Sequence, residues 1–165
     1  IANFYTTVIR GIPLATQLMI FYFVIFAPLG LDRLVVAILA YGINSGAYCT
    51  EIFRAGIQGV DIGQTEAGRA LGLNYGKTMT KIILPQAIKN VIPTLGNEFI
   101  ALVKETSISG YVAVIDITKA GDTVRSVTYA PFFPLIVVAI IYLVIVMGLT
   151  KLMNVIERKL RNSDH

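Results

Sequence analysis

Four apolar runs, each long enough or nearly long enough to cross a bilayer, divide this chain, and polar stretches of unequal length separate them. The first covers residues 12–29. Gln17 is its only strongly polar side chain, and Pro13 is tolerated near its start because first-turn amides have no helical partner anyway. Gly30, Leu31, Asp32 and Arg33 then make a turn. The second run, 34–53, is apolar at first and becomes polar through Asn44, Ser45, Thr50 and Glu51 before Arg54. Its small residues Gly42, Ser45, Gly46 and Ala47 suit close helix packing. The third, 86–103, is short and punctuated by Pro93, Gly96, Asn97 and Glu98, so it reads as an interrupted span that does not face lipid. The fourth, 132–150, is uncharged and rich in Ile and Val, a plain crossing. Residues 1–10, IANFYTTVIR, read equally well as an interfacial segment leading into the membrane or as a frayed amphipathic end.

The longest polar stretch between apolar runs holds the most specific pattern, QTEAGRALGLNYGKTMTKIILP over residues 64–85. Gly63 and Gly72 bracket a short helical window in which Ala67, Ala70 and Leu71 share a face, while Glu66 and Arg69 stand one turn apart on another. Gly72 fits the left-handed position past a helix end. Asn74 is a good N-cap for a second helix reaching Leu84, which Pro85 closes as it opens the next. Glu51 and Arg54 are spaced to pair with each other on one helix. Glu98, ionisable and deep in an apolar run beside Asn97, is a candidate for lining a cavity or substrate path, with structural packing as the alternative.

Composition agrees with a membrane protein: of 165 residues 55% are apolar and 15% charged, and mean hydropathy is +0.71. The net charge of +4 does not indicate nucleic acid, because the basic residues are dispersed between apolar runs. They act instead as topology signals. Arg54, Arg69, Lys77, Lys81 and Lys89 lie in the stretch 54–89, and Lys151, Arg158, Lys159 and Arg161 in the tail 151–165, which places both in the cytoplasm. Arg33 alone marks the first outer turn, and Lys104, Lys119 and Arg125 are spread over the longer outer connection. Cys49 is a single cysteine inside an apolar run and His165 the single histidine, so a disulfide within the chain, a zinc site and histidine base catalysis are poorly supported. No glycine-lysine phosphate loop and no paired catalytic set occurs, so the chain is not expected to be an enzyme or to bind ATP itself.

The residues Glu66-Ala67-Gly68, then Gly72, then Ile82 and Leu84-Pro85 carry a spacing that resembles the EAA loop of bacterial ABC importer permeases. Gly68 stands where that family usually has alanine, a change that adds backbone freedom worth about 1 kcal/mol inside a helix. Arg10-Gly11-Ile12-Pro13-Leu14, Glu51-Ile52-Phe53-Arg54-Ala55-Gly56-Ile57 and Lys104-Glu105-Thr106-Ser107 are similar to the polar amino acid branch, so the resemblance covers nearly the whole chain. It implies an all-α polytopic membrane bundle of the type I importer permease kind. One permease domain would span residues 1–165 with about four crossings, lacking a further N-terminal helix that relatives carry. It implies that Glu66, Ala67, Gly68, Arg69, Ala70, Leu71, Gly72 and Pro85 dock on cytoplasmic ATP-binding subunits, and that ATP and Mg sit on those partners with no cofactor on this chain. Thr106 and Ser107 would stand near an outer gate, with a plain turn as the alternative. The remaining implied partners are a second or sister permease, an extracellular solute-binding protein and membrane lipid, in a bacterial inner membrane. The competing reading is a channel or membrane enzyme whose polar loop is only a linker.

Overall fold

The computed structural model describes residues 2–161, with side chains through Lys159; Ile1 and residues 162–165, His165 among them, lie outside the described residues. All regular structure among the described residues is helical. Helix α1 (Ala2–Gly11) is followed by α2 (Leu14–Met19), which runs on through a wide π-type segment, Ile20–Phe26, and a tight turn, Ala27–Leu29. Residues Ala2–Gly11 therefore form a helix, with Thr6 buried. Pro13, extended at φ −57° and ψ 136°, breaks the chain between the two, and α1 and Leu14–Leu29 meet at 101°.

Helix α3 (Arg33–Gln58) is capped by Asp32, whose carboxylate accepts from Leu34 N at 2.8 Å. At 26 residues it outruns the expected 34–53 and spans about 39 Å at 1.5 Å per residue. Helix α4 (Ile62–Ala70) is followed, after the turn at residues 71–74, by α5 (Tyr75–Thr78), a π-type segment Met79–Ile83 and α6 (Leu84–Glu105), and these last three run on in helical conformation without a break. Pro85 thus does not end a helix. The turn before it widens to the π pattern, a rearrangement by which a helix accommodates a residue that has no amide hydrogen. The interruption expected at Pro93 and Gly96 is absent as well: both lie inside the 22-residue α6.

A tight turn, Thr106–Val112, and an amphipathic helix α7 (Ile117–Thr128) occupy what the sequence left as an outer connection. Helix α8 (Phe133–Arg161) carries the fourth apolar run and continues into the expected tail, so residues 151–161 are helix. Among the described residues two helices are long and apolar enough to cross a membrane, Arg33–Gln58 and the Phe133–Lys159 part of α8, and the bent pair Ala2–Gly11 with Leu14–Leu29 makes a third if it counts as one span. Helix α6, long enough but carrying Lys89, Glu98, Lys104 and Glu105, is too polar to qualify by hydropathy.

Small residues set the packing. Gly56 of α3 lies against Val91 of α6, Gly96 of α6 against Met153 of α8, and Gly121 of α7 against Val138 of α8, each so close that a Cβ would collide. The compact apolar centre joins Leu18 of α2, Ala37, Ala40 and Tyr41 of α3, and Val112. Helix α8 is left largely uncovered, with Ile140, Leu143, Val144 and Met147 exposed, as suits a surface whose solvent is lipid or another apolar helix.

Candidate functional site

The polar loop between α3 and α6 is a capped helical corner. Asp61 caps α4 by accepting from Gly63 N at 2.6 Å, so Gly63 lies within the first turn and does not mark the boundary expected of it. At the other end Gly72 adopts φ +76°, its N–H bonds Arg69 O at 2.9 Å, and Leu73 N bonds Gly68 O at 3.1 Å. This pair of crossed bonds closes the last turn with glycine in the left-handed position. Asn74 then caps the next helix by accepting from Lys77 N at 2.9 Å.

Helix α4 is held from behind. Gly68 is buried against the second helix, where an added Cβ would stand 2.7 Å from Thr78 Cγ2 and 3.1 Å from Ile82 Cδ1, and Thr78 is itself only 1% exposed. Gly68 therefore differs from the other residues of the proposed docking set: it allows α4 to sit on its own scaffold and does not itself face outward. Glu66, Ala67, Arg69, Ala70 and Leu71 are exposed, Leu71 at 79%. Glu66 and Arg69 do not pair with each other among the described residues. Pro85 is also exposed, a full turn and more along the supporting helix.

The structure separates the four residues expected along a path. Glu98, half-buried, accepts from Ser45 Oγ of α3 at 3.3 Å, whereas Asn97 next to it is exposed on another face of α6. Thr106 returns its hydroxyl to Val103 O at 2.7 Å, so it caps the end of α6. Ser107 lines a cleft of about 460 Å³ with Tyr111, Thr118, Lys119 and Asp122. In that cleft Asp122 bonds Arg125 Nη2 at 2.5 Å and lies 3.7 Å from Lys119 Nζ. The Arg125 hydrogen bond, reinforced by its charge and by Lys119, holds the Asp122 carboxyl below the usual carboxylate range.

Two buried polar clusters were not assembled by sequence reasoning. Gln17, 4% exposed, donates through Nε2 to the carbonyls of Ile9 and, at 2.8 Å, Ile12, and accepts from Asn44 Nδ2 at 3.2 Å. It satisfies the end of α1 across the bend and ties both helices to α3. Tyr5 adds a bond to Ile43 O at 2.5 Å. The second cluster joins Tyr41 of α3 to Ser109 at 2.7 Å; Ser109 donates in turn to Thr106 O at 2.7 Å, which fixes the turn after α6. The available signal was a lone polar residue in an apolar run, which in lipid requires a partner. The expected Glu51–Arg54 pair does form, at 3.3 Å.

Long apolar helices packed through small residues, with a braced polar helix pair between two of them, make a membrane-spanning helical bundle. The chain belongs to the family described as binding-protein-dependent transport system inner membrane component, whose model matches residues 1–162. It is 45% identical over 166 residues to the arginine transport system permease protein ArtQ of Bacillus subtilis (strain 168), an alignment covering 99% of this chain and 76% of ArtQ. It is 44% identical over 161 residues to the putative glutamine transport system permease protein GlnP of Rickettsia bellii (strain RML369-C), covering 96% of this chain and 74% of that one. The crystal structure of an amino acid ABC transporter with histidines superposes with a TM-score of 0.89 at 43% identity, covering 95% of this chain and 74% of that chain.

Proposed function

We propose that this chain is the permease subunit of an ATP-driven importer of polar amino acids and that α4 is the element through which ATP-binding subunits drive it. The observation that carries the coupling role is the brace behind α4. Gly68 seats the helix on Thr78 and Ile82 while Glu66, Ala67, Ala70 and Leu71 stay exposed, so a push on α4 is delivered to the helix that continues into α6. A flexible linker, the competing reading, would not need capped ends, a crossed-bond terminus and a buried rear face.

The basic residues of 54–89 and of the α8 end support a cytoplasmic placement for both, with α7 outside. The ATPases would hold ATP and Mg. A second or sister permease would complete the path, and an extracellular solute-binding protein would deliver cargo. Within the path Glu98, held by Ser45, would favour the cationic part of a substrate.

Glu66→Lys and Gly72→Val in the reconstituted complex test the coupling role. Both are expected to lower uptake and substrate-stimulated ATP hydrolysis while the permease stays in the membrane; for Gly72 the cause is a backbone penalty of about 1–3 kcal/mol at a left-handed position. Normal stimulated hydrolysis in both variants would remove α4 from the drive train.

A further inference from the structure

A charged cluster where α1 meets α3 belongs neither to the apolar centre nor to the α4 corner. Arg10, in the last turn of α1, stacks over the Tyr48 ring with Cζ 5.1 Å from its centroid. Its Nη1 lies 4.0 Å from Glu51 Oε2, well beyond the length of a charge-assisted hydrogen bond, while Glu51 takes its closer partner, Arg54, at 3.3 Å. The aromatic ring thus fixes the guanidinium without using its planar fork.

Arg10, Tyr48 and Glu51 wall a cavity of about 430 Å³, opposite Asn90 and Thr94 of α6. That volume falls within the range of small-molecule sites. A second hollow of about 330 Å³ opens on the other side of Arg10 and Glu51. Asn90 and Thr94 precede Glu98 by eight and four residues, so they continue its face of α6 over about 12 Å. On α3, Ser45, which donates to Glu98, is followed three residues on by Tyr48. A row of polar groups therefore leads from Glu98 to Arg10.

We propose that Arg10 and Glu51, with Asn90 and Thr94, form a second binding station that holds the α-carboxylate and α-ammonium of a free amino acid at the inner end of the permease. Arg10 exchanges its long contact with Glu51 for a two-pronged bond to the carboxylate, and Glu51 accepts the ammonium. Asn90 and Thr94 supply the remaining polar contacts. A phosphate or an acidic lipid headgroup fits less well, because the Glu51 carboxylate stands between Arg10 and Arg54 and repels it. Recognition of the part common to all amino acids makes this station indifferent to the side chain, unlike Glu98. The inference rests on the amino acid importer reading given above.

The test uses the full-length permease, assembled with its ATPase and reconstituted in vesicles loaded with increasing L-arginine or L-glutamine. Uptake driven from outside is expressed relative to the same variant's uptake into empty vesicles. Internal amino acid is expected to slow wild-type uptake at similar concentrations for the two probes. Arg10→Gln and Glu51→Gln should each raise the half-inhibiting concentration about tenfold or more, and Arg10→Lys by less, while internal acetate or ethylamine has no effect on any form. Unchanged half-inhibition in both neutral variants, or no internal inhibition in a wild-type complex that does take up either probe, overturns the station and leaves the importer reading standing. Failure of the wild-type complex to take up any amino acid overturns both.

Discussion

Gly68 and Thr78 meet with no room between them: a Cβ on Gly68 would lie 2.7 Å from Thr78 Cγ2 and 3.0 Å from its Oγ1. The contact replaces a flexible hairpin by a braced corner. Thr78 cannot turn away freely, because its hydroxyl bonds Asn74 O at 3.1 Å. Gly68→Val should therefore force α4 off its support and cost about 1–3 kcal/mol. Gly68→Ala gains about 1 kcal/mol of helix propensity and loses it to the same collision, so it should improve when Thr78→Ser removes the methyl group. Thermal unfolding of the detergent-solubilised complex, with Gly68→Ala, Thr78→Ser and the pair, measures that coupling. Additive effects would mean that the two residues do not bear on each other.

Gln17 should matter more than its place in an apolar run suggests. Gln17→Leu keeps the volume but strands the Ile9 and Ile12 carbonyls and Asn44, each at about 1–3 kcal/mol if left without a partner. We expect a clear fall in unfolding temperature, and a smaller further fall for Asn44→Leu on that background than alone. A Gln17→Leu protein as stable as wild type would show that the bend is held by other contacts.

Cysteines placed at Gly59 and Tyr75 report the orientation, since both positions are exposed, Tyr75 at 72%. In a Cys49→Ser background, an impermeant thiol reagent should label neither in intact cells and both after permeabilisation. Labelling from outside would invert the topology drawn from the basic residues.

The Asp122 carboxyl, held down by its hydrogen bond to Arg125, gives α7 a pH dependence of definite sign. A carboxyl whose folded value is depressed contributes stability that is present above its unfolded value and lost as pH falls through the folded one. The extra protection of α7 amides in wild type over Asp122→Asn should persist at neutral pH, begin to fall below about pH 4 and vanish only once the pH has passed below the depressed folded value. Hydrogen exchange referenced to α3 amides measures this. A difference that survives at lower pH would mean that the charge of Asp122 is not its source.

The sequence by itself determined the class of the molecule and the join between the two helices of its key loop. Apolar runs of near-bilayer length dictate membrane helices because backbone groups in hydrocarbon must bond within their own segment. Gly72 and Asn74 were legible because the left-handed position and the N-cap are local demands that one residue type answers. The Glu51–Arg54 pair was legible for the same reason, being one helical turn. Only the tertiary structure decided which way Gly68 faces, that α6 runs unbroken through Pro93, that Asn97 and Glu98 part company, and that Gln17 reaches Asn44. Each of these depends on a neighbour distant in the chain: Thr78 behind Gly68, Met153 against Gly96, Ser45 beside Glu98, and α3 beside the bend. Periodicity places a residue on a helix, but which side of that helix is covered is fixed by the helices packed around it, and contacts of that range leave no local pattern.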